Sequence, residues 1–175
     1  RIALGSEELS LYRLTTAYNR LASKGAAVTP TTILSITNSK GEVVYTYTPP
    51  TEIEQALTKT DSFLVTTMMQ AMFNDEYNDY TNVTGNDIAP YLTHDYYAAK
   101  TGTTNSDQWM VGFSPSITAG VWNGYDQGKN LAGGVPKYIW LDFMERVNTS
   151  KKQRFTPPKG VSAVNVEISS GKLGS

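Results

Sequence analysis

The run Lys100-Thr101-Gly102-Thr103-Thr104 combines groups that can bind a carboxylate and polarise a carbonyl group. Lys100 supplies a positive charge, and the hydroxyls of Thr101 and Thr103 project to the same side of an extended strand. Because Gly102 has no Cβ, the backbone can approach a ligand closely here, and the N–H that follows can donate to a developing oxyanion. Short motifs of this kind often occur by chance, so the meaning of this one depends on the surrounding sequence.

The composition of the 175-residue chain limits the other reactions that it could perform. The absence of cysteine excludes thiolate catalysis, disulfides and Cys-based metal sites. With His94 as the one histidine, acid–base chemistry must rely mainly on Lys, Tyr or carboxylates. Fifteen Lys and Arg against 16 Asp and Glu give a net charge of −1, which does not favour a nucleic-acid partner. No metal ion or cofactor is expected, and no run approaches the ~20 apolar residues of a membrane span.

The elements that position the motif begin with a helix and a hairpin. Apolar residues at helical spacing predict a helix over residues 10–23, with Ser10 as its N-cap and Gly25 as its terminator. β-Branched and aromatic residues then predict a hairpin with strands at 31–37 and 42–48.

A second helix and a long loop lead to the motif. Thr60 can cap this helix, and its predicted apolar face consists of Phe63, Leu64, Thr67, Met68, Ala71 and Met72. Residues 74–95 are rich in Asn, Asp, Thr and Tyr and predict a long loop, a kind of segment that is often functional or mobile.

Three short strands and a final helix complete the predicted core. The strands are residues 96–101, 108–113 and 117–122, and their short connections favour antiparallel neighbours. Pro136 can begin the last helix, whose predicted apolar face consists of Ile139, Trp140, Phe143, Met144 and Val147. The order predicts an α+β fold with helices covering an antiparallel sheet. Residues 1–147 would form the domain and 148–175 a polar C-terminal extension.

Segments on both sides of the motif resemble one protein family. In order they are residues 3–5, 12–21, 23–25, 107–115, 121–126 and 139–144. Lys-Thr-Gly is itself a signature element of penicillin-binding proteins, in which it follows a serine motif S-x-x-K. The chain therefore resembles the C-terminal part of the transpeptidase domain of class A, bifunctional penicillin-binding proteins. This resemblance implies part of a penicillin-binding and serine β-lactamase-like transpeptidase fold.

The resemblance also implies a reaction and a role for each residue of the motif. In that family the serine attacks the D-Ala-D-Ala end of a peptidoglycan stem peptide, and an amine of a neighbouring stem peptide resolves the acyl-enzyme into a cross-link. β-Lactams mimic the donor peptide and trap the serine. Lys100 and Thr103 would be catalytic, through proton transfers and an oxyanion-binding N–H. Thr101, Gly102, Thr103 and Thr104 would bind the carboxylate end of the substrate.

Two other motifs of the family are not present in a usable form. The chain contains no S-x-N, and its one S-x-x-K match, Ser169 to Lys172, lies in a Gly/Ser-rich tail. We therefore expect a truncated or cleaved product that is inactive alone and needs the upstream half of the same domain. The parent protein is expected to add a glycosyltransferase domain and an N-terminal membrane anchor, on the outer face of the bacterial cytoplasmic membrane. Ala99, where the family usually has Gly, bears on the fine geometry of the cleft.

Two other functions stay compatible with these residues. A serine β-lactamase-like hydrolase would share the fold, although the segments after the motif favour a transpeptidase, and a deacylation assay separates the two. A non-catalytic penicillin-binding sensor or scaffold module would keep the fold without turnover. The intact Lys100 and threonine hydroxyls argue against such a module, whereas the missing serine leaves it open.

Overall fold

The computed structural model describes residues 7–77, 83–127, 131 and 133–174, so the resembling segment at 3–5 lies outside the described residues. In chain order the elements are helix α1 (Leu11–Ala22), strands β1 (Ser35–Thr37) and β2 (Val43–Thr46), helix α2 (Lys59–Gln70), strands β3 (Ala98–Thr103), β4 (Asp107–Phe113) and β5 (Thr118–Gly124), and helix α3 (Val135–Val147). The predicted α+β class is confirmed. Among the described residues, no helix has the length and apolar character needed to cross a membrane.

Helix α1 begins and ends close to its predicted positions. The hydroxyl of Ser10 accepts the Arg13 N–H at 3.3 Å, which caps the first turn. At the other end Gly25, with φ +88°, donates its N–H to the Arg20 carbonyl at 2.7 Å. A Cβ at position 25 would lie 2.1 Å from the Leu57 carbonyl oxygen, so both the left-handed turn and the close approach require glycine.

The predicted hairpin is present but shorter than expected. Strands β1 and β2 pair antiparallel, with an irregularity in register between Ile36 and Thr37. Their turn is closed by Asn38, whose side-chain oxygen accepts the N–H groups of Lys40 at 2.9 Å and Glu42 at 3.0 Å. All residues of both strands are exposed, so the hairpin is held by its turn and its backbone ladder and not by a core of its own.

Strands β3, β4 and β5 form a three-stranded antiparallel sheet in that order, as predicted. Ala99 lies opposite Gly112, and a Cβ at position 112 would lie 2.5 Å from the Trp140 ring of α3. On the other face, a Cβ at Gly120 would lie 2.1 Å from the hydroxyl of Thr15 in α1. Small residues thus let α3 and α1 pack directly on opposite faces of the sheet.

The main hydrophobic core lies between α3 and the sheet and includes the start of β3. Its buried residues are Met72, Ile88, Tyr96, Tyr97, Ala99, Met110, Trp140 and Met144. Ala98 and Ala99 at the start of β3 are almost fully buried, whereas Lys100 and Thr103 are exposed. The core therefore anchors one end of the strand that carries the motif and leaves its other end at the surface.

Helix α2 differs from its prediction in its start and in its buried face. Its N-cap is Thr58, whose hydroxyl accepts the Asp61 N–H at 3.0 Å, so the predicted cap at Thr60 is wrong. The buried residues of the helix are Ser62 and Thr66. Leu64, Thr67 and Met68 of the predicted face are exposed, whereas Met72, just after the helix, is buried as predicted. The Ser62 hydroxyl donates to the Leu21 carbonyl at 2.9 Å. A small hydroxyl side chain therefore faces α1 at a point where the sequence pattern predicts large apolar ones.

Helix α3 begins at Val135, with Pro136 in its first turn as predicted. Its buried residues are Pro136, Trp140 and Met144, which are spaced four apart. The predicted apolar face is confirmed for Trp140 and Met144 and is wrong for Ile139, Phe143 and Val147, which are exposed. The side of the helix that meets the sheet is therefore the one with Trp140, whose ring lies against Gly112 and Ala99.

The segment after α3 has no helix or multi-residue strand among its described residues. It nevertheless contacts the domain. The Tyr96 hydroxyl donates to the Ser150 carbonyl at 2.8 Å, and the rings of Phe113 and Phe155 meet edge-on at 5.7 Å. The predicted division at residue 147 stays a prediction.

Candidate functional site

The outer edge of β3 presents the backbone groups of the motif. The Thr104 N–H donates to the Asp107 carbonyl at 2.8 Å. This bond fixes which residues of β3 direct their backbone groups toward β4 and which direct them away from it. In an antiparallel pair the bonding direction alternates, so Thr101 and Thr103 direct their N–H and C=O groups away from β4. β3 is an edge strand of the described sheet, and these groups are therefore placed to pair with a ligand.

A cleft of about 550 Å³ lies beside this edge. Its walls come from β3, the start of β4, the segment before β3 and the beginning of α3. The lining residues are Val83, Thr84, Asn86, Asp87, Thr101, Gly102, Thr103, Gln108, Trp109, Gly133, Gly134, Pro136 and Lys137. The structure thus brings together Thr101, Gly102 and Thr103, three of the five predicted site residues.

Lys100 and Thr104 lie next to the cleft but do not line it. The Lys100 side chain is exposed, and its Nζ atom donates to the Thr101 carbonyl at 2.6 Å, which brings the ammonium group to the outer edge of β3. The Thr104 hydroxyl donates to Asp107 Oδ2 at 3.0 Å and accepts the Asp107 N–H at 3.0 Å. This hydroxyl therefore closes the turn between β3 and β4. The functional roles of all five residues stay predictions.

Three further residues of the cleft were missed by the sequence analysis. Lys137 donates to Asp87 at 2.7 Å and to the Thr84 carbonyl at 3.1 Å, and the Thr101 hydroxyl donates to that of Thr84 at 3.2 Å. The two contacts of Lys137 join residues 50 and 53 positions apart in the chain, and the contact between Thr101 and Thr84 joins residues 17 positions apart. No local spacing could have indicated them.

The turn between β3 and β4 is stabilised by the carboxylate of Asp107. Trp122 on β5 donates its indole N–H to Asp107 at 2.9 Å, and the Trp109 and Trp122 rings meet at 6.1 Å. The hydrogen bond from Trp122, with those from Thr104 and Ser106, holds the pKa of Asp107 below its usual value of 3.8. The ionised carboxylate thus ties the turn that follows the motif to the far strand of the sheet.

Replacing Asp107 with asparagine is expected to lower stability in a pH-dependent way. Because the pKa of Asp107 is lower in the folded state, the carboxylate stabilises the fold fully above the usual value of 3.8, and this gain is lost as the pH falls through the folded value. Urea unfolding should show a lower midpoint for Asp107→Asn at pH 7 and a smaller difference from wild type at pH 3. Asp126→Asn, at an exposed aspartate just after β5, is the control. An equal difference at both pH values would contradict the assignment to charge.

Four other titratable groups near β3, His94, Tyr96, Tyr97 and Glu145, lie away from the cleft. Burial, and then the nearby Glu145, raise the pKa of both Tyr96 and Tyr97, so these phenols stay protonated at neutral pH. His94 stacks on Tyr96 at 4.7 Å, and its Nε2 atom lies 2.8 Å from the Asn148 carbonyl oxygen. The lining of the cleft includes neither these two tyrosines nor His94 or Glu145. In the described residues, no cluster of three acidic or histidine side chains could hold a metal ion.

The one S-x-x-K match lies in a tight turn of the C-terminal segment. Val166 and Leu173 form an isolated bridge, and residues 169–172 turn between them. The Ser170 hydroxyl donates to Glu167, and all these residues are exposed. No residue of this turn lines the cleft beside β3.

Residues 2–144 match the family described as the penicillin-binding protein transpeptidase domain. The sequence is 39% identical over 175 residues to penicillin-binding protein 2D of Bacillus subtilis, covering 97% of this chain and 25% of that protein. It is 35% identical over 153 residues to penicillin-binding protein 1A of Aquifex aeolicus, covering 83% of this chain and 20% of that protein. The chain thus spans a quarter or less of these two relatives.

The fold is similar to that of a solved relative. The crystal structure of penicillin-binding protein 1A from Haemophilus influenzae superposes with a TM-score of 0.81, covering 99% of this chain and 31% of that one. At 19% sequence identity this likeness concerns the fold. The sequence match extends over most of the chain, including β3 and the walls of its cleft. This chain therefore belongs to the penicillin-binding protein transpeptidase family, as its motifs predict.

Proposed function

We propose that this chain supplies the carboxylate-binding wall of a serine D,D-transpeptidase that cross-links peptidoglycan stem peptides. The observation that carries the proposal is the placement of Thr101, Gly102 and Thr103 along the outer edge of β3, beside the cleft. Membership of a transpeptidase family supports the class of reaction. The donor substrate, a peptide that ends in D-Ala-D-Ala, carries the carboxylate that these hydroxyl groups can bind.

Each group on this edge has a distinct role in the proposed reaction. The hydroxyls of Thr101 and Thr103 donate to the terminal carboxylate of the donor. The Thr103 N–H, directed away from β4, donates to the reacting carbonyl oxygen as its negative charge develops, a contribution of roughly 3 kcal/mol in comparable sites. The ammonium group of Lys100, beside the Thr101 carbonyl at 2.6 Å, adds positive charge at the same edge and takes part in proton transfer.

The attacking serine is supplied from outside this chain in our proposal. No S-x-N is present, and the S-x-x-K match lies in an exposed turn and not at the cleft. The serine oxygen attacks the carbonyl of the penultimate D-Ala, the terminal D-Ala leaves, and the amine of a neighbouring stem peptide then displaces the serine. β-Lactams acylate the same serine. The parent protein would also be a peptidoglycan glycosyltransferase, anchored on the outer face of the cytoplasmic membrane.

Labelling with a fluorescent penicillin tests this division of the site. We expect the full-length protein to be labelled, with the label mapping to a serine outside residues 1–175 after digestion and mass spectrometry. We expect no label on the isolated chain. Excess unlabelled penicillin and heat-denatured protein are the controls. Label on a serine within this chain, Ser169 above all, would overturn the proposed placement of the chemistry.

The rate at which the label is lost separates the alternative functions. A transpeptidase keeps its penicilloyl group for a long time, and an added amine acceptor speeds the turnover of a peptide donor. Rapid hydrolysis of the label would indicate a β-lactamase-like hydrolase. Stable labelling without any turnover of peptide donors would indicate a penicillin-binding sensor.

A further inference from the structure

One residue of the segment before β3, Thr84, contacts both β3 and α3. The Thr84 hydroxyl accepts a hydrogen bond from the Thr101 hydroxyl at 3.2 Å, and the Thr84 carbonyl accepts one from Lys137 Nζ at 3.1 Å. All three residues line the cleft. Thr84 therefore lies between the predicted carboxylate-binding hydroxyl and the start of α3.

Lys137 is held in this position by an ion pair. Its Nζ atom lies 2.7 Å from both carboxylate oxygens of Asp87, and the two side chains are 20% and 41% exposed. A second ion pair on α3, between Asp142 and Arg146, has side chains that are 66% and 76% exposed. Partial burial reduces solvent screening, so the Lys137 pair should fix its geometry better than the exposed pair does.

The contact between the two hydroxyls bears directly on carboxylate binding. A threonine hydroxyl has one proton, and in the structure Thr101 donates that proton to Thr84. A carboxylate only accepts, so Thr101 must turn its proton toward the ligand when a carboxylate binds. The Thr84 hydroxyl can then reverse and donate to Thr101. A chain of this kind polarises each hydroxyl in it and strengthens the bond to the anion.

We propose that Thr84, held by Lys137 and Asp87, is a positioning residue for the carboxylate-binding hydroxyl of Thr101. This inference rests on the proposed function, because it assumes that the β3 edge binds a carboxylate. The affinity of the cleft for the carboxylate of a donor or a penicillin then depends on residues 84, 87 and 137. None of these belongs to the Lys-Thr-Gly run. Lys137 acts through Thr84 and not by touching the ligand.

The test compares penicillin with its methyl ester, which lacks the free carboxylate, in the full-length protein. Stopped-flow measurements give the dissociation constant of the first complex separately from the rate of acylation. We expect Thr84→Val, which keeps the shape and removes the hydroxyl, to raise the dissociation constant for penicillin about tenfold. The constant for the ester should change less than about twofold. Thr84→Ser, which keeps the hydroxyl, should behave like wild type.

Two variants of α3 complete the design. Lys137→Met should raise the dissociation constant for penicillin, as Thr84→Val does. The double variant should raise it by less than the product of the two single effects, because both substitutions break one chain of contacts. Arg146→Met, which breaks the exposed pair on the same helix, is the matched control and should leave both constants unchanged.

The possible outcomes separate this inference from the proposed function. A wild-type protein that binds neither penicillin nor its ester overturns the proposed function, and the inference with it. Wild-type binding that Thr84→Val leaves unchanged, or weakens equally for both ligands, overturns the inference alone. A loss for penicillin with Lys137→Met but not with Thr84→Val also overturns it, because Lys137 would then contact the carboxylate directly.

Discussion

Replacing Lys100 with alanine in the full-length protein is expected to slow acylation by fluorescent penicillin about 100-fold or more. General acid–base groups contribute about 10²–10⁴-fold to such reactions, and a charge at the reacting edge adds to that. Although the side chain begins on the opposite face of β3 from Thr101, its ammonium group reaches the Thr101 carbonyl at 2.6 Å, on the edge where a substrate would pair. The second-order acylation rate constant, measured from the growth of label with time, checks this expectation.

The control for this experiment is Lys40→Ala, which removes an exposed lysine from the turn between β1 and β2 and should leave the rate unchanged. Lys100→Arg keeps the charge but not the proton-transfer capacity, so it should recover ligand binding better than the rate of acylation. A loss of less than threefold for Lys100→Ala would contradict a catalytic role for this residue. Thr103 would then be the one catalytic residue of the motif still supported by its placement.

The sheet could be predicted closely because its signals are local. Strands β3, β4 and β5 are short runs separated by turn-forming residues, such as Asn105 and the Ser114-Pro115 step, and their connections are too short for a crossover. Their predicted ends differ from the observed ones by two residues or fewer. Burial of Ala98 and Ala99 and exposure of Lys100 then follow from where the core covers β3.

The buried faces of the helices could be predicted only in part, because periodicity does not reveal the partner surface. On α2 the hydroxyls of Ser62 and Thr66 are buried, with the Ser62 hydroxyl bonded to the Leu21 carbonyl of α1 and that of Thr66 to the Ser62 carbonyl. A hydrophobicity pattern assigns such residues to the surface. The apolar Met68 on the same helix is 74% exposed.

Only the part of the candidate site that is contiguous in sequence could be predicted. Residues Thr101 to Thr103 are adjacent in sequence and share an edge because a strand must place them there. Thr84, Asp87 and Lys137 reach the cleft through contacts between segments about 50 residues apart. Pairings of that kind depend on the packing of α3 against the sheet, and a single sequence contains no local sign of them.

The packing of α3 rests on Trp140, and replacing it with alanine is expected to lower the free energy of unfolding by about 3 kcal/mol. Trp140 is fully buried, lies against Gly112 and contacts the rings of Tyr97 at 5.5 Å and Phe73 at 6.1 Å. This loss of stability is at the lower end of the range usual for Trp→Ala. Within the described residues, the buried indole N–H of Trp140 has no hydrogen-bond partner, and the substitution removes the free-energy cost of that unpaired donor. Urea unfolding of the full-length protein, followed through penicillin labelling and near-ultraviolet circular dichroism, measures the change.

Phe143→Ala is the matched control, because Phe143 is on the same helix but 45% exposed. This substitution should lower the free energy of unfolding by less than about 1 kcal/mol, since little buried area is lost and no cavity forms. Comparable losses from the two variants would show that the helix packs through its broad apolar stripe, as its sequence pattern predicts, and not through the single line of Pro136, Trp140 and Met144. Because Lys137 is one turn before Trp140, a displaced α3 would also break the contact from Lys137 to Thr84. Trp140→Ala should therefore weaken penicillin binding at urea concentrations below the unfolding transition.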